Sequence, residues 1–370
     1  MNRRRYLGAT AGVVAGLTGC LDALDAPGDD SDGDGGDDGS PSVTAGDQRV
    51  VAETVAAGLE VPWGVAYRDG VLHLTERPGR VVRVADGRRQ VVADLADSTA
   101  AEGEGGLLGL AFHPDDPDAA TAYQTYDDGG LTNRIIALDA ADGWSFEPLF
   151  DGIPGAPIHD GGRLLVRDGS LYATTGDAAD EATAQDVDSL GGKVLRLTLD
   201  GEPHPDNPFG GAVFTYGHRN PQGLALLGGE LYSTEHGPDT DDEINRLEAG
   251  GNYGWPEATG PSDSPEFVDP LASYTPTIAP GGAVVYPEDG AIEAWRGDLL
   301  FGTLVGQHLH RSRIRGDEVT EDERLFEGTF GRLRTTFIGA DGHLHVVTSN
   351  RDGRGDPREG DDRIVRVRPE

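Results

Sequence analysis

Four segments of this chain repeat one device. "DGVLHLTE" (69–76), "DGSLYATT" (168–175), "GGELYSTE" (228–235) and "DGHLHVVT" (341–348) each place a Gly turn before a short strand of alternating apolar and polar residues. "AATAYQTY" (119–126) and "GDLLFGTL" (297–304) carry the strand without the full turn. The six recur at intervals of about 45 to 70 residues, near the length of a four-stranded propeller blade with insertions. Turns rich in Gly, Asp and Pro separate short β-branched runs, and helical periodicity is nearly absent, so the expected fold is all-β, a six-bladed β-propeller. A pair of β-sandwiches is the rival, but it would need a linker that residues 48–370 lack. In a propeller, loops from every blade converge at one end of the central channel, so residues far apart in sequence can share a site.

What precedes residue 48 reads differently. "MNRRRYLGATAGVVAGLTGC" puts Arg3 to Arg5 before an apolar run too short to span a bilayer, and "LTGC" is similar to a lipobox. Residues 1–20 are expected to be a twin-arginine lipoprotein signal ending at a lipid-modified Cys20, with an ordinary cleaved signal as the alternative. That predicts an exported protein anchored to the outer face of the cell membrane. Cys20 is the only cysteine, which leaves no disulfide and no thiolate metal site. Residues 21–47, nearly all Asp, Gly, Ser and other small or polar types, are expected to be a disordered tether. The formal charge of −35, with Lys193 the only lysine among 30 basic residues, is a halophile's balance and excludes a nucleic-acid partner.

Four loops hold side chains whose chemistry exceeds what a β-sheet needs: 101–116, 158–178, 216–226 and 233–256. The last, "STEHGPDTDDEINRLEAGGNYGWP", offers carboxylates and carbonyls around a Gly-Pro break, hard oxygen donors suited to calcium; a solvated acidic turn is the plainer reading. His159 precedes "DGG", where small residues would let a ligand approach the backbone, and its imidazole is a candidate general base that Asp177 could orient. Histidines in loops are more often structural. Arg219 and Asn220 supply a cation and an amide suited to a polyanionic or quinonoid ligand, or stitch their turn to neighbouring carboxylates.

The ordered set "GLLGLAFHPD", "H-x-GGRL", "TTGD", "GGKVLRL", "DNPF", "GHRNPQG", "E-x-GPDTDDEIN" and "GGNYGWP" resembles the soluble pyrroloquinoline quinone (PQQ)-dependent glucose and aldose sugar dehydrogenases, from about Val61 to Val367. The resemblance implies a six-bladed propeller that uses PQQ and Ca2+ to oxidise the anomeric carbon of an aldose sugar to a lactone, passing electrons to an external acceptor. It further implies that His159 is the base, Asp177 its partner and Arg219 the catalytic cation, and that Arg219 and Asn220 contact the cofactor. Glu104 falls beside substrate or cofactor, and Arg332 and Arg334 near the cofactor's carboxylates. The carbonyls of Gly237 and Pro238 match an active-site calcium, and Glu243 and Tyr253 a second, structural one.

Two positions depart from the family pattern. Glu104 stands where glutamine is common, and Val305 and Gly306 stand where a lysine usually reaches the quinone. Losing a charge-assisted contact of about 1.5–3 kcal/mol weakens cofactor binding by one to two decades unless an arginine compensates. The other readings are a non-catalytic binding propeller of the same family and a calcium-dependent sugar lactonase using metal-bound water.

Overall fold

The computed structural model describes residues 39–370; the expected signal, Cys20 and the expected tether up to residue 38 lie outside the described residues. Ser42–Ala45 is already a strand, folded back through Gly46 and Asp47 so that Ala45 faces Gln48 and Ser42 faces Val51. The folded body therefore begins before Gln48, because Ala45 is buried and Val43 packs on the same core. Among the described residues helix is confined to Ala182–Gln185 and two single 3-10 turns.

Four runs of chain each form a separate antiparallel sheet of four sequential strands. They run from Pro62–Arg68 to Arg88–Asp94, from Leu107–Phe112 to Ser145–Pro154, from Leu164–Arg167 to Val213–Tyr216, and from Pro221–Leu227 to Ala272–Tyr274. The remaining strands make one nine-stranded sheet. In it the run from Pro280–Val285 to Glu318–Leu325 meets Leu333–Ile338 through a single parallel bridge, Gly282 to Thr335. The backbones touch here because glycine permits it: a Cβ on Gly281 would stand 2.1 Å from the Arg334 carbonyl oxygen. The all-β propeller is thus the observed fold, but only four blades are separate sheets, where six were expected.

All six repeat segments fall on the second strand of their run: Val71–Glu76, Ala119–Asp127, Ser170–Thr175, Glu230–Glu235, Leu299–Thr303 and Leu344–Thr348. A second strand is flanked by neighbours on both edges and packed on both faces, so Ser170–Thr175 is buried at every position. Its threonines tie one sheet to the next: Thr234 Oγ1 donates to the Gly281 carbonyl at 2.7 Å, and Thr75 Oγ1 to the Leu108 carbonyl. The six first strands neighbour one another in a closed ring. Gln48–Ala57 completes the ring by pairing antiparallel with Arg363–Pro369, which joins the start of the folded body to its last strand.

This topology fixes where chemistry can gather. A first strand leaves one end of the ring and the second returns to it. Turns between second and third strands, and crossings from a fourth strand to the next first strand, therefore all emerge at that same end.

Candidate functional site

His159 and Asp177 arrive at this end on two such connections and meet. The imidazole Nδ1 lies 2.7 Å from Asp177 Oδ1, and Trp255 Nε1 donates to Asp177 Oδ2 at 2.9 Å. The Ala179 amide adds a third donor at 2.9 Å, so the carboxylate is fixed from three sides. An acceptor-only carboxylate requires the hydrogen on Nδ1, which leaves the Nε2 lone pair bare. Nε2 makes no hydrogen bond to the described protein, and the ring keeps 13% exposure. His159 has φ of 63°, left-handed backbone that a histidine adopts at a cost of about 1 kcal/mol or more, held by its own amide donating to Glu104 Oε2 at 3.1 Å.

The glycines after His159 serve a different purpose from the one read in the sequence. Gly161, at φ of 65°, has no room for a Cβ, which would stand 2.7 Å from the Gly176 nitrogen and the Thr175 Cα; at Gly162 it would meet the Leu108 side chain at 2.6 Å. Protein fills the space expected for a ligand. Close packing of this loop on the Ser170–Thr175 strand holds His159 opposite Asp177.

In the turn "YGHRNPQG", His218 is the structural member. It is wholly buried, its Nδ1 2.8 Å from Glu235 Oε2 and its Nε2 2.9 Å from Thr215 Oγ1, with its ring stacked on Tyr253 at 4.6 Å. Arg219 instead turns toward the Gly237–Pro238 turn and Trp255. Its Nη1 donates to the Gly237 carbonyl at 2.6 Å and the His236 carbonyl at 3.2 Å, its guanidinium lies 5.3 Å from the Trp255 ring centre, and its buried Nε has no partner. Asn220 accepts from the Gly161 amide at 3.1 Å and donates to Glu104 Oε2 at 3.2 Å.

Glu104 is therefore a hub. Its Oε1 accepts from Arg354 Nη1 at 2.7 Å, across the ring. Burial opposes its charge, but His236, Arg354 and the His159 amide outweigh it and hold the carboxyl at about 2. Burial keeps His236 down at about 4, so near neutral pH Arg354 is the cation facing Glu104. The extra negative charge read from the sequence is thereby neutralised in place.

Arg332 and Arg334 enter at the start of Leu333–Ile338. Arg332 grips Asp352 Oδ2 through Nε and Nη2 at 2.9 and 2.8 Å, whereas Arg334 Nη1 donates to Gln222 and its buried Nε is unpartnered. Two arginines that the sequence reading did not single out line the same channel. Arg163 is stacked 4.0 Å over Trp63, and burial, with Arg334 beside it, pulls it down to about 9. Arg77 has a third unpartnered buried Nε. Arg163 stands inside the quoted "GGRL", so its position was visible, but its inward direction requires the strand register. Asp160 Oδ2 is also buried without a partner, and burial raises its carboxyl to about 6.

Gly237, Pro238, Glu243 and Tyr253 line one cavity with Arg219, Glu235 and Trp255. Burial and the neighbouring Glu235 push Glu243 up to about 8, the behaviour of a carboxyl short of positive charge. The Tyr253 hydroxyl is spent: it donates to the Arg246 carbonyl at 2.6 Å and accepts from the Glu248 amide at 2.8 Å, leaving its main-chain carbonyl to offer. Among the described residues no three His, Cys, Asp or Glu side chains converge on a metal position. Val305 is exposed, and Arg332 reaches the turn beside it, its Nη1 donating to the Leu304 carbonyl at 3.2 Å.

A family model for glucose/sorbosone dehydrogenases matches residues 59–359. The aldose sugar dehydrogenase YliI of Escherichia coli K12 is 32% identical over 351 residues, covering 85% of this chain and 94% of that protein. A PQQ-bound aldose sugar dehydrogenase from Streptomyces coelicolor superposes with a TM-score of 0.78 at 38% identity, over 87% of this chain and 98% of its own. A Thermus thermophilus oxidoreductase described as a glucose dehydrogenase gives 0.80 at 43% identity, over 86% and 99%. On this match, extending through the propeller and all the loops above, the chain belongs to the glucose/sorbosone dehydrogenase family.

Proposed function

We propose that this protein is a PQQ- and calcium-dependent aldose sugar dehydrogenase, oxidising the anomeric carbon of an aldose to a lactone. The observation that carries the reading is the 2.7 Å contact of His159 with a triply anchored Asp177, which leaves Nε2 bare at the cationic end of the ring. In the same reading the nine-stranded sheet counts as two blades, six in all, and Cys20 anchors the exported protein by lipid to the outer membrane face.

The channel suits a tricarboxylic quinone. Unpartnered buried Nε–H donors on Arg77, Arg219 and Arg334 stand where carboxylate or quinone oxygens would complete them. Arg219, Asn220 and Arg334 would hold the cofactor, with Arg332 behind, and these arginines compensate for the missing lysine. The bound quinone would supply a two-electron acceptor. The donor set also suits calcium, in part. Glu243 and Glu235 are buried carboxyls in mutual repulsion, and the Gly237, Pro238 and Tyr253 carbonyls add neutral oxygens, although Gly237 already accepts from Arg219.

His159 Nε2 takes the proton of the anomeric hydroxyl as the C1 hydrogen leaves with its bonding electron pair, a hydride that the two-electron acceptor would receive, so that the C1–O bond becomes the lactone carbonyl. Asp177 keeps Nε2 as the acceptor and stabilises the imidazolium that results; Trp255 prevents Asp177 from swinging away. The test is reconstitution with Ca2+ and PQQ, followed by dye reduction with a panel of neutral aldoses. Dye reduction that needs both additions supports the proposal. A quinone that binds without turnover supports a binding propeller, and lactone hydrolysis without quinone a lactonase.

A further inference from the structure

Of 30 basic residues in this chain only Lys193 is lysine, so wherever arginine can serve, arginine is used. The structure shows why this position is different. Lys193 is wholly buried, and its Nζ donates to the carbonyls of Thr183 at 2.6 Å, Ala184 at 3.1 Å and Gly191. Three carbonyls converging on one point match the three N–H donors of an ammonium, whereas a planar guanidinium spreads five donors over a fork too wide for them. Burial draws the amine down to about 8 against the pull of Asp186, but a neutral amine would turn its lone pair on one carbonyl, so the cage accepts the protonated form.

The caged carbonyls belong to the connection that carries Asp177. Between Ser170–Thr175 and Lys193–Thr198 the chain departs through Asp177, makes the single turn Ala182–Gln185, and returns through Gly191. The Ala184 carbonyl that receives Lys193 also receives the Gly217 amide at 2.9 Å, two residues before Arg219. Gln185 donates to the Trp255 carbonyl at 2.7 Å, and Trp255 in turn donates to Asp177. One ammonium thus pins the segment from which Asp177, Arg219 and Trp255 are all positioned.

We propose that Lys193 is a positioning residue for the His159–Asp177 pair, acting through the 176–192 connection, a role that rests on His159 being the base. Its first readout needs neither cofactor nor turnover. Two-bond 1H–15N spectra of cofactor-free protein report which His159 nitrogen is protonated. Wild type should show Nδ1–H, and Lys193→Met should lose that signature for the Nε2–H tautomer or an average. In quinone-loaded enzyme the same variant should lower kcat at least about tenfold while sugar KM stays within about twofold, and Lys193→Arg should not rescue it. If Lys193→Met does not fold, Gln185→Ala, which frees the turn from Trp255 without touching the ammonium, should shift the His159 tautomer the same way. A wild-type tautomer with unchanged kcat in a folded Lys193→Met protein, or an unshifted tautomer in Gln185→Ala when that variant stands in, overturns the proposal. A wild type lacking Nδ1–H would remove the base assignment itself and, with it, any contact for Lys193 to hold.

Discussion

Replacing Glu104 by glutamine probes the hub through which His159, Asn220 and Arg354 are joined. A glutamine Oε1 can still accept from the His159 amide and Asn220 Nδ2, now 3.1 and 3.2 Å from a carboxylate oxygen, but its Nε2 would face the Arg354 guanidinium, donor against donor. Moving the carboxyl from 4.5 to about 2 corresponds to about 3 kcal/mol, since each unit is about 1.4 kcal/mol. Two features reduce it: His236 is charged only in acid, and Arg354 is 53% exposed and relaxes into water. The expected loss for Glu104→Gln at pH 7 is therefore about 2 kcal/mol, or a fall in melting temperature of a few degrees. The sign follows from the depressed carboxyl: its stabilisation is complete above the free value of 4.5 and disappears as pH falls through 2. Denaturant titrations of both proteins at fixed ionic strength should show a gap that is constant from pH 7 to 5 and narrows below 4. A variant as stable as wild type at pH 7, or a gap that widens in acid, refutes the reasoning.

The raised carboxyl of Glu243 gives the opposite sign. In calcium-free protein its favourable contribution is complete below pH 4.5 and lost as pH rises through about 8, so Glu243→Gln should stabilise chelated protein at pH 8 yet destabilise protein in excess calcium, as thermal melts would show. Equal melting of wild type with calcium and with chelator would remove the metal assignment. Arg219→Ala should weaken PQQ binding about 10- to 100-fold by fluorescence titration, the equivalent of one charge-assisted bond, before it affects turnover of the loaded enzyme. Cys20→Ser should release the native protein from membranes or stop its processing; wild-type protein found soluble in the medium with an unmodified N-terminus beyond Cys20 would contradict the anchor.

Much of the fold was legible because a second strand has to satisfy two edges and two faces at once. That demand wrote the same strand pattern six times, four of them behind a full glycine turn, and each copy lies on a second strand. Ser42–Ala45 escaped notice because a four-residue strand beside an acidic stretch has too few apolar positions to announce itself. The joining of two runs at Gly282 and Thr335 depends on how closely two backbones approach, which no local pattern encodes. In the site, the pairing of His159 with Asp177 was readable from two loops of one run. Arg354 and Asp352 were not, because they reach Glu104 and Arg332 from a loop some 250 positions from Glu104 in one case and 20 from Arg332 in the other, and only ring closure brings the first pair together. The paired glycines were legible as a requirement for space, but what fills that space is protein.

The central claim is that His159 Nε2 removes the proton of the anomeric hydroxyl. The direct measurement is single-turnover reduction of bound quinone by an aldose in wild type and in His159→Ala, with quinone occupancy and thermal melts matched. General-base catalysis contributes about 10²- to 10⁴-fold, so the variant should bind quinone normally and reduce it at least a hundredfold more slowly. A loss smaller than tenfold in folded, quinone-loaded His159→Ala would contradict the account.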